Sequence, residues 1–157
     1  MSNVSVSCGS GTNNCATAQG EVPPAGIYQN GSFTMSYVDI DGDASTFSSS
    51  KDSLTLPNCS EILWAGLYWS ARIAANTANY ANRSQVKLKL NNGVYQSLTA
   101  DQTLDVPTIN GVSWSHPSYY CYKNITSLLT PTGTNTRFTV ANVVAETGTN
   151  RWGGWSV

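Results

Sequence analysis

Three aspartates alternate in the segment Asp39-Ile40-Asp41-Gly42-Asp43. In an extended chain, alternate residues project on one face, so the three carboxylates stand close enough to repel one another. A hard cation such as Ca²⁺ relieves that repulsion with oxygen ligands, and Gly42 permits a tight bend around it. Asp39, Asp41 and Asp43 are therefore the candidate metal ligands. A twelve-residue calcium loop starting at Asp39 would need a carboxylate at its last position, where Ser50 stands. The bland reading is a solvated acidic turn. Zinc has no local site to use: His116 is the only histidine, and no C-x2-C spacing occurs.

A second group of residues can bind through ring faces. The chain holds 5 Trp, 8 Tyr and 3 Phe. Trp114, Tyr119, Tyr120 and Tyr122 form the densest local cluster, beside His116. An exposed row of such rings stacks on sugar rings while Asn and Asp supply hydrogen bonds. These four are the candidate ligand-binding residues, with glycans as the implied partner. The alternative is core filling, which suits Trp64 and Trp155 better. Nucleophilic catalysis finds little to work with. His116 precedes Pro117 in an expected loop, no G-x-S-x-G elbow exists, and Glu21, Glu61 and Glu146 show no pairing pattern. The expectation is a protein that is not an enzyme.

The four cysteines are Cys8, Cys15, Cys59 and Cys121. An even number in a polar chain of low charge points to disulfides in an oxidising compartment. Three pairings are open. Cys8–Cys15 closing a small loop and Cys59–Cys121 closing a long one are favoured, the second constraining the unfolded chain by roughly 4 kcal/mol. Four unpaired thiols are the alternative.

Composition bounds the rest. The 157 residues suit one domain with a sizeable core. Ser, Thr and Asn make up about a third of them, charged residues 11%, and Lys+Arg is 8 against Asp+Glu 9. A nucleic-acid binder held by phosphate contacts needs a basic stripe, and none is present. No apolar run approaches the length of a membrane span, and Met1–Ser10 lacks the basic start and apolar stretch of a signal peptide. The N-x-S/T sites at Asn3, Asn30, Asn58, Asn82 and Asn124 suit surface turns.

These candidates must be positioned by strands. Residues 1–25 read as a loose N-terminal arm stapled at Cys8 and Cys15, and residues 26–157 as the domain. Strands are expected over Ser32–Ile40, Leu54–Leu56, Glu61–Arg72, Gln85–Leu90, Val94–Leu98, Val112–Trp114, Arg137–Ala145 and Arg151–Val157. Glu61–Arg72 is apolar on both alternating sets, which predicts a central strand covered on both sides. In Gln85–Leu90, Val86, Leu88 and Leu90 point inward and Lys87 and Lys89 outward. Asn91-Asn92-Gly93 reads as a tight hairpin. Asn124–Leu129 is the one short helix expected. Short strands with frequent turn signals predict an all-β, antiparallel β-sandwich, jelly-roll-like, with at most one short helix. A strand beginning at Trp155-Ser156-Val157 and breaking off suggests either a cut chain or completion by another subunit through strand complementation.

Leu63–Trp69 (LWAGLYW) resembles the core of a β-rich domain at the N-terminus of large secreted bacterial surface proteins. Val140-Ala141-Asn142-Val143, then Gly148, Thr149 and Asn150, then Gly154-Trp155-Ser156, resembles that domain's closing motif. Tyr37–Ser50 and Leu54–Pro57 are similar to it as well. The resemblance covers roughly residues 26–157. Such domains occur in Bacteroidetes and Actinobacteria, ahead of repeated sandwich modules and a sorting signal. It implies a secreted or cell-surface location and a structural or adhesive role. The expected partners are other subunits or host and surface ligands, glycans among them, with no nucleic acid and no membrane insertion.

Overall fold

The computed structural model describes residues 1, 4–6, 34–109, 112–129 and 135–157, with backbone alone for 4–6, 108–109 and 112–115. Among the described residues ten strands run in chain order: β1 Val4–Val6, β2 Met35–Tyr37, β3 Ser49–Leu54, β4 Gly66–Arg72, β5 Gln85–Leu90, β6 Gln96–Thr99, β7 Gln102–Ile109, β8 Val112–Asn124, β9 Thr136–Ala141 and β10 Gly153–Ser156. They form two four-stranded antiparallel sheets, β10-β4-β8-β7 and β3-β9-β5-β6, and a two-stranded β1-β2 ribbon. The fold is the expected all-β sandwich. The expected helix at Asn124–Leu129 is a single 3-10 turn, Thr126–Leu128, and a second lies at Tyr80–Asn82.

Alternation builds the core. Leu67, Trp69 and Ala71 of β4 and Tyr119 and Cys121 of β8 face Val86 and Leu88 of β5 and Phe138 and Val140 of β9, all buried. Fully burying one large apolar side chain contributes roughly 1.5–3 kcal/mol. The polar ends of these rings find partners: Tyr119 Oη donates to Val144 O at 2.7 Å, and Trp69 Nε1 to Arg83 O at 2.9 Å. Trp155 Nε1 donates to Ser50 Oγ at 2.8 Å, joining β10 to β3 across the sandwich.

Several strand expectations are corrected. The first strand of the sandwich is Ser49–Leu54, not Leu54–Leu56, because the buried serines Ser49 and Ser50 carry no apolar signal. The strand expected over Ser32–Ile40 shortens to Met35–Tyr37 among the described residues. β4 begins at Gly66 and is central, between β10 and β8, but only one of its faces is covered: Tyr68 is 45% exposed. The return strand of the Asn91 hairpin is Gln96–Thr99.

The cysteines are also corrected. Cys59 and Cys121 are free thiols, not a pair. Cys59 sits in the exposed turn Pro57–Ser60 at φ 67°, while Cys121 points inward between Trp69 and Thr103. The Cys121 Sγ lies 3.4 Å from Thr103 Oγ1, and burial raises its pKa. Cys8 and Cys15 lie outside the described residues.

Candidate functional site

The same alternation that buries Leu67 and Trp69 puts Tyr68, Ser70 and Arg72 on the outer face of β4. On β8 it puts Ser118, Tyr120 and Tyr122 there. Register sets Tyr68 beside Tyr122 and Ser70 beside Tyr120, with Leu104 of β7 beyond Tyr120. Tyr68 and Tyr122 meet at 5.1 Å between ring centroids, and Trp64 lies 6.2 Å from Tyr122 with planes 17° apart. Tyr120 leans on Trp152 at 6.2 Å. Trp64, Tyr68 and Tyr120 stay 55%, 45% and 46% exposed. Rings thus run across one sheet face with solvent on their outer side.

Gly66 makes this arrangement possible. A Cβ there would stand 2.6 Å from Trp64 Cη2 and 2.9 Å from Tyr122 Cε2. Both rings close over the bare Cα, so the indole rests directly on the sheet. Two depressions flank Tyr120. One, of about 240 Å³, lies between Tyr68, Ser70 and Tyr120 where Gly154 carries no side chain. The other, of about 310 Å³, is walled by Arg72, Val106, His116, Ser118, Tyr120 and Trp152.

Of the four candidate ligand residues, Tyr120 and Tyr122 belong to this face. Tyr119 does not: it is wholly buried, its neighbours in the strand pointing the other way, and burial pushes its phenol well above the usual range. The Trp114 side chain lies outside the described residues. Sequence reading missed Trp64, Tyr68 and Trp152 as surface rings. For Trp64 and Tyr68 the signal was present in the doubled apolar pattern of residues 61–72, where their alternating set is mostly aromatic; Trp152 lies outside it.

His116 lies in β8 instead of a loop. Its Nε2 is 3.3 Å from Glu146 Oε2, and Arg151 Nε lies 3.0 Å from the same oxygen as an ion pair without hydrogen-bond alignment. Arg72 Nε donates to His116 O at 3.0 Å and its Nη1 to Asn150 O at 3.2 Å. The group ties the closing segment 146–151 to β4 and β8.

The aspartates do not converge. Asp39 accepts from Ser49 Oγ at 2.8 Å, and Asp43 accepts from the Ser45 amide at 2.8 Å. Asp41 accepts from Tyr95 Oη, from Lys89 Nζ at 3.3 Å and from the Asp43 amide at 3.2 Å. Residues 38–48 are a bent loop with Gly42 at φ 60°, so the single-face geometry of an extended strand never forms. Among the described residues no group of three His, Cys, Asp or Glu is placed to hold a metal ion. Burial disfavours the Asp41 charge. The Tyr95 hydroxyl, the Asp43 amide and Lys89 outweigh it and hold the carboxyl well below the usual range.

No helix of the described residues is long and apolar enough to cross a membrane. Compared with protein-family models, with curated proteins and with solved structures, the chain gives no match.

Proposed function

We propose that this domain is a non-catalytic extracellular module, structural and adhesive in role, that makes its contacts through the ring-bearing face of β10-β4-β8-β7. The observation that carries this reading is Trp64 resting on Gly66 with more than half its surface in solvent, beside Tyr122 and Tyr68. A tryptophan left exposed forgoes a large burial gain, and monomeric proteins seldom expose large contiguous apolar patches without a partner for them. The likeness of LWAGLYW and of the closing motif to bacterial surface domains supports the extracellular address. Secretion, adhesion and a bacterial source belong to this proposal.

The carbohydrate-binding reading is its narrower form. The ring face carries few charges, Arg72 and His116 standing at its end, and Ser70 and Ser118 supply hydroxyls between the rings. Pyranose faces stack on such rings, and their hydroxyls can bond to the serine hydroxyls between them. Assembly by strand addition would use the sheet edges at β7, β3, β6 and β10. At β10, Trp155 N already donates to Met1 O at 2.8 Å and Trp155 O accepts from the Met1 amine.

The test is capture of domain-coated beads on immobilised neutral polysaccharides and on protein-coated surfaces. Trp64→Ala and Tyr120→Ala each reduce capture roughly tenfold or more, as central aromatic contacts do, while thermal midpoints stay close to the parent's. Capture that survives both substitutions, or no capture on any surface, overturns the reading.

A further inference from the structure

The opposite face of the sandwich carries charge in place of rings. Thr139 of β9 stands beside Lys51 of β3 on one side and Lys89 of β5 on the other. Alternation adds Lys87 of β5 and Arg137 of β9 to the same outward set. Lys51, Lys87, Lys89 and Arg137 are half of the chain's 8 basic residues.

The acidic loop 38–48 covers one end of this face. Lys87 Nζ donates to Ser45 O at 2.8 Å, and Lys89 Nζ lies 3.3 Å from Asp41 Oδ2 and 4.2 Å from the centre of the Tyr95 ring. At the loop's edge, where Asp41 forms part of the wall, the face opens into a cavity of about 350 Å³ lined also by Lys51, Lys89, Asn92, Arg137 and Thr139. Three cations face one carboxylate there, and that carboxylate is already engaged by Tyr95 and Lys89. Lys89 is paired with Asp41, whereas Lys51 and Arg137 have no carboxylate at ion-pair distance among the described residues.

Arg137 is set in place by the hairpin. Asn91, at φ 53°, accepts the Arg137 amide on its Oδ1 at 2.9 Å and Arg137 Nη2 on its backbone oxygen at 3.1 Å; Asn92 Oδ1 takes Nη2 as well. Those bonds use one corner of the guanidinium. The Nε and Nη1 donors hold no partner among the described residues, and Lys51, exposed, lines the same cavity. A fixed guanidinium edge with a nearby ammonium is the geometry that takes two oxygens of one oxyanion.

We propose that this cavity is an oxyanion-binding site, taking a carboxylate, sulfate or phosphate group on Arg137 and Lys51, with Lys89 contributing charge from its anchored position. The site is on the other sheet from the ring face and does not depend on that reading. The source of the group is either a free ion or an acidic polymer.

Calorimetric and NMR titration test it at constant ionic strength set with chloride. The probes are sodium sulfate, sodium phosphate, a galacturonate oligomer and a sulfated dextran. Saturable one-site binding to at least one probe is expected. Lys51→Gln and Arg137→Gln each weaken it roughly tenfold, the cost of one charge-assisted hydrogen bond, and Lys123→Gln, away from the cavity, leaves it unchanged. Preference for the salts assigns a free ion, and preference for the polymers assigns a polymer-borne group; both uphold the site. Loss of the Asn91 tie in Arg137→Gln is controlled by Lys51→Gln, whose side chain is exposed and bears no such tie. No saturable binding to any probe, or equal weakening by Lys123→Gln, overturns the proposal.

Discussion

The two outer faces of this sandwich obey the same alternation and end in opposite chemistry. On β4 and β8 the outward set is Tyr68, Ser70, Tyr120 and Tyr122; on β3, β5 and β9 it is Lys51, Lys87, Lys89, Arg137 and Thr139. The rings are left bare. The cations are partly covered by an acidic loop. A shared interior therefore leaves each surface free to differ: apolar contact at the ring face would survive salt, whereas attraction at the charged face would be screened by it.

The comparison can be broken from beneath. Trp69 is the interior counterpart of Tyr68, one residue along β4, and Trp69→Ala should cost about 3–5 kcal/mol of stability in urea unfolding. Tyr68→Ala should cost under about 1 kcal/mol; a cost equal to that of Trp69→Ala would mean the outer rings are core after all. A smaller effect separates position from presence. Gly66→Ala pushes Trp64 and Tyr122 aside without removing either ring. Its far ring atoms can yield, so the stability cost should be about 1 kcal/mol, yet capture by the ring face should fall as far as in Trp64→Ala.

The charged face answers to pH instead. Asp41 is held below the usual carboxylate range despite burial; on the other sheet, Asp105 of β7 is lowered first by its hydrogen bonds from Arg83. A carboxyl whose folded pKa is depressed stabilises fully above its unfolded pKa, about 4. The thermal midpoint should therefore be level above about pH 5 and fall as pH drops below 4, and Asp41→Asn should make that fall shallower. Tyr95 is shifted upward, first by burial and then by Asp41. Its contribution is full below its unfolded pKa, about 10, and shrinks as pH rises past it. The smallest effect sharpens the contrast: Lys123, paired with Asp101 at 2.5 Å on the exposed rim, should change stability by less than about 0.5 kcal/mol when replaced by Gln.

How much of this was legible depended on whether a residue's type revealed its direction. Gln85–Leu90 was read with its true bounds because Lys alternates with Val and Leu there. β7 was not foreseen: Leu104, Val106 and Pro107 give a broken pattern, and Pro107 falls where the register shifts between Val106 and Thr108 on a sheet edge. Buried serines hid the start of β3. The doubled apolar pattern of residues 61–72 located a central strand but could not say that one of its faces meets solvent, since an exposed Tyr and a buried Tyr look alike in sequence. The aspartates were legible as a cluster. Asp39 and Asp43 find local partners in Ser49 and Ser45, but Asp41's partners Tyr95 and Lys89 lie about fifty residues away along the chain, beyond the reach of local spacing.

The inward thiol of Cys121 carries a practical consequence. Since it and Cys59 stand apart and reduced, the closing of the two sheets over residues 34–157 waits for no oxidant. A chain refolded from urea under excess dithiothreitol should regain its near-ultraviolet dichroism, and the domain can be made in a reducing cytosol whatever address its biology requires.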